Sequence, residues 1–236
     1  MRRVILHLHL FKNAGTSLDS LLQENFPGRW VTREFSMGNG ENTDDVQSWI
    51  LDTPKAIAFS SHTIIGPLPS IPGIQIVPVL FLRDPLERIV SAYHFERAQD
   101  ADTYGARLAK RHDLAGYVQA RLARPGDRQC RNFQTSRLAS MIHGNAPERP
   151  RALRACDLIR RQGVLGLVHQ FDRAITELCD QIAPIHPGFN KREIRANSSS
   201  RSGCKVMAHA LQETLKVANE DDHALLDYAQ RQLNTA

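Results

Sequence analysis

The run "VILHLHL" at residues 4–10 constrains this chain more than any other stretch. Its branched apolar side chains are interrupted only by His7 and His9, so it presents no continuous polar face to water. Such a run suits a strand covered on both sides in a parallel sheet. After it come Lys12, Asn13, Ala14, Gly15, Thr16 and Ser17, and then Leu18, Leu21, Leu22 and Phe26 at helical spacing, with Pro27 and Gly28 as a stop. A strand that passes through a short turn into a helix reads as the start of a parallel, crossover-connected architecture.

The alternation continues along the first hundred residues. A short strand is expected over 30–35, a helix around 45–51, and strands over 56–60 and 75–82. Pro78 is awkward inside the last of these, because proline cannot donate to a sheet ladder and belongs at an edge or a bulge. From residue 85 the pattern is mostly helical, over 85–98, 103–124, 129–143 and 150–162, then a strand at 164–168 and a helix at 172–182. The polar stretch 184–202 carries no regular pattern, and helices are expected over 204–218 and 222–233. This order predicts an α/β fold: a doubly wound parallel sheet flanked by helices, with a helix-rich C-terminal half, in a single domain over 1–236. Ligands of such sheets sit beyond the carboxyl ends of the strands, and Lys12, His62 and Arg83 all follow expected strand ends.

Lys and Arg number 30 against 25 Asp and Glu, so anionic ligands are favoured, but the excess is too small and too scattered to require nucleic acid. No apolar run approaches the roughly 20 residues that cross a bilayer, and the first strand begins too early to leave room for a signal peptide. The expectation is a cytoplasmic protein without a membrane span. Cys130, Cys156, Cys179 and Cys204 lie far apart without paired spacing, which reads as free thiols rather than a zinc site or a disulfide framework.

The turn "HLFKNAGTSL" has the composition of an anion cradle. A helix N-terminus offers unpaired N–H groups and the positive end of a dipole, Gly15 permits close approach, Thr16 and Ser17 add hydroxyls, and Lys12 adds a charge. The order differs from the ATP-binding P-loop, whose lysine follows the glycine and whose first glycine is absent here. Read alone, Thr16 or Ser17 equally serves as a helix cap, with Lys12 a solvated charge. Ala14 fits the turn if its φ is negative.

"LFLRDPLERIVSAYHF", beginning at Leu80, is the second informative stretch. Asp84 suits an N-cap, Pro85 the first helical position, and Glu87 the third, an aspartate form of the capping box. Leu86, Ile89, Val90 and Tyr93 share one face, which puts Arg88 and Ser91 on the opposite side. On this reading alone, Ser91 is a surface residue and Arg83 an ion-pair partner for Asp84 or Glu87.

Taken together, the two stretches resemble the sulfotransferases that use 3'-phosphoadenosine 5'-phosphosulfate (PAPS). The first is similar to that family's 5'-phosphosulfate loop, His-x-Pro-Lys-x-Gly-Gly-Thr-Ser, with Phe11 in place of the proline and Ala14 in place of the first glycine. The second resembles its 3'-phosphate motif through Arg83, Asp84, Pro85, Arg88, Ser91 and Tyr93. Between them, "SSHTIIG" is similar to the Gly-His segment of the branch that includes heparan sulfate 2-O-sulfotransferase and its bacterial relatives, with Ser61 where glycine often precedes the histidine. "VLGLVHQFDRAITEL" and the terminal "DDHALLDYAQRQL" also resemble that branch.

The resemblance implies a P-loop-like fold and transfer of a sulfuryl group from PAPS to an acceptor hydroxyl, more in keeping with a carbohydrate than with a small aromatic or a lipid, leaving adenosine 3',5'-bisphosphate. It gives catalytic roles to His62, as the base, and to Lys12, at the leaving phosphate, with Asn13, Ala14, Gly15, Thr16 and Ser17 around the 5' end and Arg83 and Ser91 on the 3'-phosphate. Arg195 and Asn197, in "REIRANSSSR", correspond to a late loop that closes over the nucleotide; a solvated loop is the equal alternative. No metal is implied, because a sulfuryl group in transfer carries less negative charge than a phosphoryl group. His7 and His9 lie on one strand face without nearby carboxylates in the sequence, which favours packed or hydrogen-bonded rings. Arg128, Arg131, Asn132 and Gln134 are candidates for acceptor recognition, or else cover a helix surface. Competing readings are an ATP-dependent kinase of P-loop-like fold and a non-catalytic module that binds anionic glycans or nucleic acid.

Overall fold

A computed structural model describes residues 1–36, 40–191 and 207–234. The chain divides into two compact units, Met1–Leu82 with Arg137–Ala196, and Arg83–Ser136 with Asn197–Ala236.

The first unit holds a five-stranded sheet made of β1 (Arg2–Leu8), β2 (Trp30–Thr32), β3 (Ala58–Ser61), β4 (Ile74–Leu82) and β5 (Val164–Leu167), in the order β2-β3-β1-β4-β5. Every pairing is parallel. Its helices are α1 (Gly15–Asn25) and α2 (Thr43–Asp52), and later in the chain α7 (Glu148–Gln162) and α8 (Phe171–Ile182). Period-two alternation sends Ile5 of β1 and Val77, Val79 and Phe81 of β4 into one buried cluster with Leu18, Leu21 and Leu22 of α1 and Ile175 and Leu178 of α8. On β3, Phe59 meets Trp49 of α2 edge to face at 4.9 Å. Connections leave β1 toward β2 on one side and β4 toward β5 on the other, so the strand order reverses between β1 and β4.

β4 is an interior strand, so Pro78 is neither at an edge of the sheet nor in a bulge. Its missing N–H is harmless for a local reason. The β4–β5 ladder begins only at Val79 opposite Val164, one residue later. Gly163 closes over the proline there: a Cβ on it would lie 2.0 Å from the Pro78 carbonyl oxygen and 2.7 Å from Cδ. Proline and glycine together end the ladder at this point.

The second unit is helical. It contains α3 (Pro85–Ala98), α4 (Tyr104–Arg111), α5 (Leu114–Leu122), α9 (His209–Ala218) and α10 (Glu220–Asn234), and α6 (Phe133–Ala139) carries the chain from this unit back into the first. The helix expected over 103–124 is two helices, because Asp113 accepts from the Gly116 N–H and starts α5 afresh. Ile89, Val90, Tyr93, Leu108, Tyr117, Val118 and Leu215 form its core.

Arg88 corrects the helical-face reading. It is fully buried, with its guanidinium 4.5 Å from the centre of the Phe133 ring and donating to the Gln129 carbonyl. Burial pushes its pKa down, and the Asp222 carboxylate acts in the opposite sense. Asp222, itself buried, accepts from the N–H groups of Gln134 and Thr135 at the start of α6, at 3.1 and 2.7 Å. Arg88→Ala therefore leaves a hole against Phe133 and removes the donor to the Gln129 carbonyl. The expected loss is about 3 kcal/mol or more of unfolding free energy, read as a lower urea midpoint, with Arg88→Met recovering the part due to volume.

Candidate functional site

The turn after β1 adopts a conformation that few side chains favour. Lys12 and Ala14 both have positive φ, 65° and 61°. The condition under which alanine fits without strain, a negative φ, is not met: Ala14 occupies the left-handed region, at a cost of order 1 kcal/mol, at the position where the resembled motif has glycine. Ala14 is also the N-cap of α1, so Thr16 and Ser17 lie within the first turn and neither caps it. Ala14 has no side chain that can cap this N-terminus, and no acidic residue occupies its first turn. Asn13, buried, donates Nδ2 to the Phe81 carbonyl at 2.7 Å and so ties the turn to the carboxyl end of β4, beside the point where the strand order reverses. These features suit an anion: donors and a helix dipole without a resident carboxylate.

His62 directly follows β3 and lies beside this turn. Its ring centroid is 3.7 Å from that of His9, which follows β1. The side chain is 47% exposed, and Nδ1 is 2.9 Å from Oε1 of Glu34, itself half exposed. Glu34 also accepts from the His62 backbone N–H at 3.3 Å. Burial pushes the Glu34 carboxyl up, but hydrogen bonds from His62 and Thr63 outweigh it and hold the group below its usual range. The segment is braced from behind: Arg137 donates Nη2 to the carbonyls of His62 and Ile64 at 2.7 and 3.0 Å, and Asn42 bonds both Thr63 and Ile65. A carboxylate on Nδ1 places the imidazole proton there and directs the Nε2 lone pair away from Glu34.

His7 and His9 do have a carboxylate close by, which sequence position concealed. Ile5, His7 and His9 share the strand face that packs on α1, and Asp19 of α1 meets them. Its Oδ1 is 2.8 Å from His7 Nδ1 and its Oδ2 2.9 Å from His9 Nδ1, and Ser60 donates to Oδ1 at 2.5 Å. The three residues are compact enough to be considered for a metal ion. Their separations are those of hydrogen bonds, and Asp19 receives three donors, so the cluster is read here as hydrogen-bonded.

In the second unit, Asp84 caps α3 by accepting from the Glu87 N–H at 2.9 Å, with Pro85 in the first turn, as the sequence indicates. Arg83 is buried, and its Nε is 3.5 Å from Oε2 of Glu87. Gln134 clamps the Arg83 main chain, accepting from its N–H at 2.9 Å and donating to its carbonyl at 2.8 Å. Ser91 is half-buried on α3. Three of the four acceptor candidates are engaged internally: Gln134 in this clamp, Asn132 with Asp221, and Arg131 with the Leu122 carbonyl. Arg128 lines a groove with Arg121, Arg124 and Tyr104. Arg195 and Asn197 lie outside the described residues.

The sequence is 40% identical over 204 residues to an uncharacterized protein of Archaeoglobus fulgidus, a match that covers 84% of this chain and 80% of the archaeal one. The chain belongs to that protein's family. No family model matches it. Lys12 and His62 are candidates from the sequence; Glu34, Asp19 and His9, which the structure places around His62 and the turn, are not among them. Asp19 had one visible signal, a carboxylate adjoining Leu18 on a helix that must cover β1. Glu34 had none, since only the parallel pairing of β2 with β3 brings it to His62.

Among the described residues, no helix is long and apolar enough to cross a membrane. Cys130 and Cys156 are buried free thiols and Cys179 is a partly buried one. Burial pushes the Cys130 thiol up to about 12, which suits packing rather than reactivity.

Proposed function

We propose that this protein is a PAPS-dependent sulfotransferase of doubly wound, P-loop-like fold that acts on a carbohydrate hydroxyl. The observation that carries the reading is the pairing, in one unit, of a helix N-terminus whose cap position is Ala14, just behind Lys12, with a histidine whose Nδ1 is held by a carboxylate. A site that strips a hydroxyl proton while accommodating an anionic leaving group needs both parts. The resemblance of the two motifs supplies the chemical identity of the donor.

The donor supplies an activated sulfuryl group, whose bond to the 5'-phosphate breaks as the acceptor oxygen bonds to sulfur. Nε2 of His62 takes the hydroxyl proton, and Glu34 accompanies the charge that the ring acquires. Lys12 and the first N–H groups of α1 offset the negative charge left on the 5'-phosphate. Arg83 and Ser91 are assigned to the 3'-phosphate by the resemblance alone, and the ion pair of Arg83 with Glu87 is a contact that this role has to share.

Calorimetry tests the donor class. Adenosine 3',5'-bisphosphate is expected to bind without magnesium and more tightly than ATP, and labelled sulfate is expected to pass from PAPS to a polysaccharide acceptor. Magnesium-dependent ATP binding tighter than that of the bisphosphate would transfer the protein to the kinase class. Binding of polysaccharide with no nucleotide binding would leave a glycan-binding module.

A further inference from the structure

We infer that His9 and Asp19 are positioning residues for His62, with the His9 ring serving as the wall against which the base is held. The inference rests on the reading of His62 as the base. His9 is enclosed on every side the structure describes. Its Nδ1 is 2.9 Å from Asp19, its ring centroid is 4.8 Å from that of His7 with the planes at 18°, and 3.7 Å from that of His62 with the planes at 31°. Its Cδ2 and Nε2 fill the space beside Gly15, where a Cβ would come within 2.0 Å of both. Gly15 is therefore needed less for its own backbone than to admit this ring. The anion turn and the base are in contact through one side chain.

Three imidazoles are thus in succession, the buried His7 stacked with the buried His9, and His9 in a tilted contact with the half-exposed His62. Asp19 fixes the inner two. His9 Nδ1 faces the carboxylate alone, which favours a proton there, whereas His7 Nδ1 is 2.8 Å from both Asp19 Oδ1 and the Ser60 hydroxyl. Asp19 is held well below the ordinary carboxylate range; burial pushes it up, and the hydrogen bonds from His7 and His9 overcome that. Burial pushes the His9 ring down against the opposing pull of Asp19, which leaves a neutral face toward His62. The charged groups around His62 are then Glu34 at its Nδ1 and Arg137 at its carbonyl, and those around His9 are Asp19, with Glu34 further off. The His9 ring on one side and the Glu34 carboxylate at Nδ1 hold the His62 ring in one orientation.

Asp19→Asn changes one acceptor oxygen into a donor with little change in shape. Ring proton–nitrogen correlation spectra of the free protein are expected to show His9 protonated on Nδ1 in the wild type and that signature lost in Asp19→Asn, with the ring nitrogen signals of His62 displaced. Turnover is expected to fall about tenfold or more with little change in donor KM, since groups that orient a functional side chain carry effects of this order. His9→Phe, which keeps a flat ring, should retain more activity than His9→Ala, and thermal melts show whether each variant is folded. Unchanged His62 ring nitrogen signals in folded Asp19→Asn and His9→Ala would overturn the inference. So would stoichiometric zinc binding that Asp19→Asn abolishes, which would make the cluster a metal site. The spectra require no donor or acceptor, so they report on these rings even if the protein transfers no sulfuryl group.

Discussion

His62→Ala is expected to lower transfer to the acceptor hydroxyl by about 10²–10⁴-fold, the span attributed to a positioned general base, while donor affinity is retained. Geometry leaves the ring little else to do. Nδ1 is committed to Glu34 at 2.9 Å, so only Nε2 can accept a proton, and a side chain that is 47% exposed can be reached by an acceptor. In the wild type the rate should fall toward acid pH as Nε2 becomes protonated. In His62→Ala that acid limb should vanish, and the residual rate should climb with hydroxide. Single-turnover measurements with labelled donor across the pH range separate this from a loss of donor binding. An undiminished rate would remove His62 from the chemistry and direct attention to His9, whose ring lies behind it.

How much of this was legible before the structure depends on the range of the interaction. The start of α3 is written within four residues: Asp84 accepts from the Glu87 N–H, and Pro85 occupies the first turn. The buried run of β1 likewise identifies itself, because a strand with neighbours on both sides and helices on both faces needs apolar side chains at nearly every position. Arg88 was misplaced because a helical wheel ranks residues by their own polarity. It does not register that Phe133 and Asp222, remote in sequence, can house a guanidinium. The single helix expected over 103–124 failed for a local reason that was readable, the Asp113 cap.

The site divides in the same way. The turn at Lys12 and the histidine after β3 stand at strand ends, and a βαβ pattern shows where those ends are. The carboxylates that orient the histidines come from elements paired through the sheet, β2 against β3 and α1 over β1, and a single sequence carries no record of that pairing. Asp19 and Glu34 are therefore recognised only after folding. Both turn an ordinary imidazole into one with a defined proton position, the property a base requires.

Lys12 is where the sulfuryl-transfer reading is most exposed to refutation. Lys12→Met keeps the length of the side chain and removes its charge, and the turnover rate is expected to fall by about 10²–10³-fold, the effect of deleting one preorganised stabiliser of developing charge. The backbone at this position has φ of 65°, so Lys12→Gly would relax the turn and mix two effects, whereas Met retains the same constraint. Lys12→Arg should recover only part of the rate, because a planar fork does not reproduce a compact ammonium at the same point. The informative comparison is turnover at saturating donor against the KM for the donor, with affinity for adenosine 3',5'-bisphosphate beside it. An interaction made with the leaving charge lowers turnover and weakens the bisphosphate, which carries that charge, more than it weakens the donor, whereas an interaction made equally before and during the reaction raises KM alone. Lys12→Met that raises donor KM yet turns over at the wild-type rate would place Lys12 in ground-state binding. The N–H groups at the start of α1 would then be left to stabilise the departing phosphate by themselves.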